Sequence, residues 1–444
     1  MLFLKPSLRI LNRYFQDPGE NLKLILSREL DKISSEKNRQ AITRVVYGVV
    51  RNQRLLDHAI RRFSHLKLGK IQQDILVLLR IGIYFLVYSK SYPDYAVVNE
   101  VVKAIRASRG KAKGFVNAVL RNMAKDKTAV LDFLENIDQL EIVYSISDIL
   151  VDNLRIISPQ LEVDLAYLNR EPLFHLRVNT KDFEYAEIRQ MLADHRVDFN
   201  ELEQFQSFEI KETRRVLHQL IQEKPFYFQN TGSQVASIIV ARFAGQTVLD
   251  CCAAPGTKSV TLSLLNPRLT IYANDINLKR AKLMKEFLTR YRFTNIIPLV
   301  SDVTHIGIQP GTTIDFVIVD APCTSSGTLR KNPDLKLKID HDLVSRNAEI
   351  QYDMMTSLIK HFSNNSALYY LLYSVCSFIR EETEGIMEKV FHGLPGIDRY
   401  ETIDLSDLLE EYGFTFKKGD YGYYLLPSDA LNNDIFYMAL LKKS

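Results

Sequence analysis

Thr247-Val248-Leu249-Asp250-Cys251-Cys252-Ala253-Ala254-Pro255-Gly256-Thr257-Lys258 is a short apolar and β-branched run that ends on an aspartate and opens into a loop of small residues. The same rhythm recurs downstream. Thr270-Ile271-Tyr272-Ala273 runs into Asn274-Asp275, residues 296–300 into Ser301-Asp302, and residues 316–319 into Asp320, with a further run over 367–373. Helical stretches such as residues 278–291 separate most of these runs. Alternation of strand, loop and helix predicts a mainly parallel, Rossmann-like α/β sheet with helices on both faces. Residues 434–441 predict one late strand, antiparallel at that sheet.

Upstream the periodicity changes. Ile42, Val45, Val46 and Val49 recur at i, i+3, i+4 and i+7, Leu55, Leu56, Ala59 and Ile60 continue the stripe, and strand-like alternation is absent from residues 20–140. An all-α bundle is expected over 1–140. Residues 141–170 read as a helical connector, 173–179 alternate like a strand, and a helical stretch follows near 185–193. A small α/β connector domain over 141–228 is expected, leaving 229–444 to the larger sheet.

At 444 residues the chain exceeds one ordinary core, and 46% hydrophobic with 25% charged residues is a globular composition. A net charge of +4 permits nucleic-acid binding without requiring it. Four cysteines without a C-x-x-C pair give neither a disulfide framework nor a metal site, and reduced thiols in the cytoplasm are expected. The N-terminus lacks the apolar core of a signal peptide. The longest apolar run, 75–88, is broken by Arg80 and spans 14 residues, short of the roughly 20 that a membrane span needs. No heptad seam suggests self-association, so a monomer is expected.

Lys103, Arg106, Arg109, Lys111, Lys113, Arg121 and Lys125 form a basic block with no acidic residue between them. Gly110 and Gly114 are expected to break it, placing part of the charge on a loop. The block can neutralise phosphates or be a solvated helix face, and composition leaves both open.

Ligands of a doubly wound sheet sit beyond the carboxyl ends of its strands. Cys252, Ala253, Ala254, Pro255 and Gly256 would let the backbone approach a ligand, and the helix N-terminus that follows favours an anion, to which Lys258 could add a charge. Asp275 is suited to ribose hydroxyls and Asp302 to an adenine amino group, with Arg280 counted beside them. Each aspartate could instead be a helix N-cap. No glycine run cradles a phosphate, which disfavours a dinucleotide or ATP; S-adenosylmethionine, an adenosine and an amino acid without phosphate, fits better.

Two thiols follow in separate contexts, Asp320-Ala321-Pro322-Cys323-Thr324-Ser325-Ser326-Gly327, with Arg330-Lys331-Asn332-Pro333-Asp334 after it, and Tyr373-Ser374-Val375-Cys376-Ser377, with Glu381-Glu382 after it. In these motifs, and in residues 250–258, the chain resembles the RsmB/Sun type of rRNA cytosine-C5 methyltransferase. The resemblance extends to residues 46–51, 93–100 and 114–121, which look like the NusB-type RNA-binding domain of that family. It implies a class I S-adenosylmethionine-dependent methyltransferase domain behind a NusB-like bundle, with small-subunit rRNA as substrate.

By this resemblance Cys376 is the nucleophile, Cys323 assists product release, and Asp320 holds the cytosine edge and borders the cofactor. The chemistry gives a reason for such residues: a thiolate adding to carbon 6 makes carbon 5 enamine-like, and a base must later take the carbon-5 proton. The residues themselves leave open which thiol attacks. Cys251 and Cys252 read as small buried hydrophobes. Ser325, Ser326 and Gly327 read as a pliable turn, with Arg330 and Lys331 able to hold the backbone of an extruded nucleotide, and Lys336 and Lys338 as a solvated charged loop. Thr257 departs from the family's usual glycine. Two other readings compete: an RNA-binding ribosome-assembly or antitermination factor with an inactive methyltransferase scaffold, and a DNA cytosine methyltransferase, which the second thiol motif and the bundle disfavour.

Overall fold

The computed structural model describes residues 2–17, 19–89, 92–211, 215–223, 225–305, 313–363 and 369–444. The start of the strand expected from Ala367, residues 367 and 368, lies outside them. Contacts divide the chain into two compact units, residues 1–151 with 332–338, and residues 152–331 with 339–444.

The first unit is helical. Its main helices are α1 (Leu4–Gln16), α2 (Leu22–Leu30), α3 (Glu36–Arg51), α4 (Gln53–Phe63), α5 (Gln73–Tyr88), α6 (Asp94–Lys103), α7 (Gly110–Lys125) and α8 (Lys127–Glu135). Every residue of α5 from Ile75 to Leu86 is buried, so this apolar run is the central helix of the core. Arg80 sits inside it because Asp57 answers its charge through two bonds of 2.8 and 2.9 Å, and because its guanidinium lies over the Phe15 ring. Helix α1 buries Ile10 and Leu11 fully on its inner side.

Two local expectations are corrected here. Helix α7 runs straight through Gly114, so that glycine breaks nothing. A helical glycine costs only about 1 kcal/mol, and the buried stripe of Val116, Val119, Leu120 and Met123 outweighs it. Lys336 is not on a solvated loop. Residues 332–338 pack into the helical unit, where Lys336 is buried and donates to the carbonyls of Arg51 (3.2 Å) and Tyr144 (2.6 Å). These oxygens lie at the ends of helices, where unpaired carbonyls attract a cation. Burial pushes its ammonium well below the ordinary lysine range. Lys338 meets Asp334 at 3.2 Å and the Tyr14 ring at 4.9 Å.

The second unit holds two sheets. Strands β1 (Phe174–Val178), β2 (Phe199–Leu202), β3 (Ser207–Ile210) and β4 (Phe226–Phe228) form an antiparallel sheet in the order β2-β3-β1-β4. With the helix Tyr185–Asp194 it encloses a small core of its own around Leu176, Ile188 and Phe208.

The larger sheet comprises β5 (Thr247–Asp250), β6 (Thr270–Asn274), β7 (Ile296–Leu299), β8 (Phe316–Asp320), β9 (Tyr370–Val375), β10 (Tyr400–Thr402), β11 (Phe416–Lys418), β12 (Tyr423–Leu425) and β13 (Phe436–Lys443). Its order is β11-β12-β13-β9-β8-β5-β6-β7, with β10 on β13. Strands β7-β6-β5-β8-β9 are parallel, and β13 lies antiparallel on β9. The chain builds outward from β5 to β7, then returns to β8 on the other side of β5. That reversal opens a crevice at the carboxyl ends of β5 and β8, where a doubly wound sheet binds its ligand. No helix among the described residues is long and apolar enough to cross a membrane.

A candidate active site with two facing thiols

The loop after β5 is shaped by its own backbone. Ala253 N donates to Asn274 O (2.7 Å) and Gly256 N to Ala253 O (2.7 Å). Gly256 has φ +101°, and a Cβ there would come within 3.0 Å of Met284, so only glycine is at ease. The helix Thr257–Leu265 begins at the next residue; Thr257 already has helical backbone and its β-branch meets no demand for glycine. Arg280 ties this loop to the second strand end, donating to Ala254 O (2.8 Å) while lying 3.2 Å from Asp275.

Asp275 is 2% exposed. Its Oδ1 accepts from Asn277 N, and its Oδ2, 3.2 Å from the Arg280 guanidinium, makes no hydrogen bond among the described residues. A buried carboxylate oxygen with a charge beside it but no hydrogen bond can still accept one from a ribose hydroxyl. Asp302 is more open; hydrogen bonds from the Thr304 hydroxyl and amide hold its carboxyl below the ordinary range. The residues present therefore fit the adenosine part of S-adenosylmethionine.

Asn274, which received no role from the sequence, pins the strand ends together. Its amide donates to Cys251 O (3.1 Å) and Ser301 O (3.0 Å) and accepts from Ser301 N (2.9 Å). The only signal for it was a polar residue closing a strand. Asp250 is fully buried, accepts from Ser259 Oγ (2.7 Å), and has its carboxyl pushed up to about 6 by burial.

Lys258 was expected at the cofactor; the partner found is the Asp320 carboxylate, with which it forms a close ion pair. Burial opposes the Lys258 charge, but that carboxylate more than offsets it and raises the ammonium above its ordinary range. The other Asp320 oxygen accepts from Ser374 Oγ (3.3 Å).

Cys323 and Cys376, 53 residues apart in the chain, face each other with 3.4 Å between their sulfurs. They meet because β8 and β9 are parallel neighbours and each thiol follows its strand at the same edge. Cys376 Sγ also lies 3.4 Å from Ser325 Oγ. The contact with Cys323 lowers the Cys376 thiol below its ordinary value; burial opposes this, and Ser325 and the Lys258 cation support it. Cys323 is pushed well up by the same contact and by burial. The two thiols are thus driven in opposite directions, Cys376 down and Cys323 up.

The turn after Cys323 is not pliable. Gly327 N donates to Cys376 O (3.0 Å), and a Cβ on Gly327 would stand 2.0 Å from Ile435 O. Arg330, expected to contact RNA, is 3% exposed, lies over the Tyr167 ring and donates to Glu171 O (3.1 Å), which removes it from the surface that its sequence position suggested. Lys331 pairs with Asp434 at 2.6 Å.

Within the helical unit, Lys103 meets Glu100 at 3.3 Å and Arg109 pairs with Asp74. Arg106, Lys111, Lys113 and Arg121 have no carboxylate partner among the described residues, and all but the half-buried Lys113 are exposed.

Residues 237–442 match the family model described as 16S rRNA methyltransferase RsmB/F, and residues 7–125 match the NusB family. A probable ribosomal RNA small subunit methyltransferase B of Coxiella burnetii is 29% identical over 419 residues, covering 93% of this chain and 94% of its own. A Bacillus subtilis protein of the same description is 28% identical over 393 residues, 84% of each chain. The crystal structure of PH0851 has the same fold, with a TM-score of 0.74 at 22% identity over 99% of this chain and 98% of its own. Residues 237–442 thus match the RsmB/F methyltransferase family on a doubly wound sheet, and residues 7–125 match the NusB family on a helical segment.

Proposed function

We propose that the chain methylates carbon 5 of a cytosine in small-subunit rRNA in the cytoplasm, with Cys376 as nucleophile, Cys323 as its proton-handling partner and Asp320 at the base edge. The observation that carries this reading is the 3.4 Å contact between two thiols whose environments push their ionisation in opposite directions. Titratable neighbours driven apart in this way are the usual mark of divided acid and base roles.

The cofactor, S-adenosylmethionine, supplies an electrophilic methyl group. Asp275, Arg280, Asp302 and the loop 252–256 would hold it. The Cys376 thiolate forms a bond to cytosine carbon 6, which moves electron density onto carbon 5 and opens the 5,6 double bond. Asp320, steadied by Lys258 and Ser374, meets the N3 and N4 edge, where charge develops during addition. After carbon 5 has gained its methyl group, a base removes the carbon-5 proton. The double bond re-forms and the bond from carbon 6 to Cys376 breaks, returning the thiolate. Cys323, in contact with that sulfur, assists this last step.

The basic residues Lys103, Arg106, Lys111, Lys113 and Arg121 support a phosphate-binding role for the helical domain, residues 1–140, and would make RNA affinity fall with salt. Arg109, already paired with Asp74, would add least.

Labelled methyl transfer from S-adenosylmethionine to unmodified small-subunit rRNA tests the reading. Cys376→Ala is expected to reduce transfer to background, and Cys323→Ala to accumulate a protein–RNA adduct on denaturing gels. RNA binding without transfer or adduct in wild type and both variants would overturn it and favour the scaffold reading.

A further inference from the structure

Glu382 is a fully buried carboxylate with no cation within ion-pair distance among the described residues. Burial raises its carboxyl above the ordinary range, and hydrogen bonds with Ser377, Thr324 and Asn347 offset part of that. Oε1 accepts from Thr324 N (2.7 Å), and Oε2 accepts from Thr324 Oγ1 (2.5 Å) and Ser377 Oγ (2.5 Å). Thr324 is the residue after Cys323, and Ser377 the residue after Cys376. One carboxylate therefore grips both thiol loops immediately beside their sulfurs.

The grip has a direction. Ser377 Oγ gives its proton to Glu382, so it must accept from Ser326 Oγ (2.8 Å) and from Ile379 N (3.1 Å). Ser326 Oγ in turn accepts from Phe378 N (3.0 Å). The hydroxyl chain from Ser326 through Ser377 to Glu382 thus points toward the carboxylate, and it crosses from one thiol loop to the other. Burying a charge without a counter-ion costs stability unless every lone pair is met. A charge held so deep, between the two thiol loops, calls for explanation.

We propose that Glu382 is a positioning residue of the methyl-transfer reaction, holding the Cys323 and Cys376 loops in the one register that brings their sulfurs into contact. This rests on the function proposed above. The carboxylate touches neither thiol and acts through Thr324 and Ser377. Its negative charge adds to what raises the Cys323 thiol, behind the contact with Cys376 and burial. Glu381, its exposed neighbour in the chain, makes none of these contacts and serves as the internal control.

Glu382→Gln retains the shape and can keep the bond from Thr324 N, but an amide nitrogen must donate to hydroxyls that now donate to Glu382, which reverses the chain. The test compares Glu382→Gln, Glu382→Ala and Glu381→Gln with wild type in two assays. One is alkylation of each cysteine by iodoacetamide, mapped by mass spectrometry across pH 6–10 on the full-length protein; the other is steady-state methyl transfer. For Glu382→Gln the ratio of Cys376 to Cys323 labelling at neutral pH is expected to fall at least threefold. kcat should fall about tenfold or more while KM for S-adenosylmethionine stays within twofold. Glu382→Ala should do the same more strongly, and Glu381→Gln should match wild type in both assays.

A general loss of structure would move KM and the melting temperature together, which separates it from positioning. If Glu382→Gln melts like wild type and keeps both its labelling ratio and its kcat within twofold, the proposal is wrong. Because alkylation requires no RNA, failure of wild type to methylate RNA would sink the proposed function without deciding the role of Glu382.

Discussion

The chain places cysteines at the carboxyl ends of three neighbouring strands, yet Cys251 and Cys252 behave unlike Cys376. Cys251 is buried behind β5, and burial pushes its thiol well above the ordinary range, with the thiol of Cys252 and the carboxylate of Asp250 adding to the effect. Cys252 is driven upward by burial, with the carboxylates of Asp250, Asp320 and Asp275 adding to it. Cys376 also pays for enclosure, but Cys323, Ser325 and the Lys258 cation reverse the balance and lower it. Depth in the sheet does not make a thiol reactive. Donors and a cation aimed at its sulfur do.

The largest expected effect follows from that contrast. At neutral pH iodoacetamide should label Cys376 at least ~100-fold faster than Cys251 or Cys252, since thiolate fraction sets the rate. Equal labelling by peptide mapping would break the comparison outright. Lys258→Met sharpens it. Without the cation, Cys376 faces an uncompensated Asp320 carboxylate, both changes raise its pKa, and the acidic limb of its alkylation profile should move to higher pH by roughly one unit. A limb that stays in place would remove Lys258 from the explanation.

Asp250→Asn probes the other side. The folded-state pKa of Asp250 is raised to about 6, so the native protein holds this proton more tightly than the unfolded chain does. Its contribution to stability is complete below the unfolded value near ~4 and is lost as pH rises through about 6, a swing on the order of 2–3 kcal/mol. Urea midpoints measured from pH 4 to 7 should fall less steeply in Asp250→Asn than in wild type, and the labelling of Cys252 should quicken slightly. The smallest effect belongs to Cys251→Ala. It should cost about 1 kcal/mol of stability and leave methyl transfer unchanged, as expected of a small buried hydrophobe.

Much of this arrangement is legible in the chain before folding. The strand runs, the small-residue loop and the aspartates closing β5, β6 and β8 stand in the sequence because strand periodicity and glycine conformation are local properties. The late antiparallel strand is legible for the same reason, and β13 pairs with β9 as expected. The continuity of α7 through Gly114 is not, since tertiary burial overrides local propensity there. Lys336 misleads most. A lysine between charged neighbours reads as solvated, and only the folded chain brings the helix-end carbonyls of Arg51 and Tyr144 to it.

The amino-acid sequence by itself determined that this protein has a helical segment followed by a doubly wound sheet, and that two thiol motifs follow a cofactor loop. Such features rest on periodicity and on residue identity at strand ends. Tertiary structure alone decided that the two thiols face each other, that Lys258 pairs with Asp320, that Arg330 is enclosed, and that Glu382 joins the two thiol loops. Each of these depends on distances between residues far apart in sequence, and charge, desolvation and hydrogen bonding act through those distances.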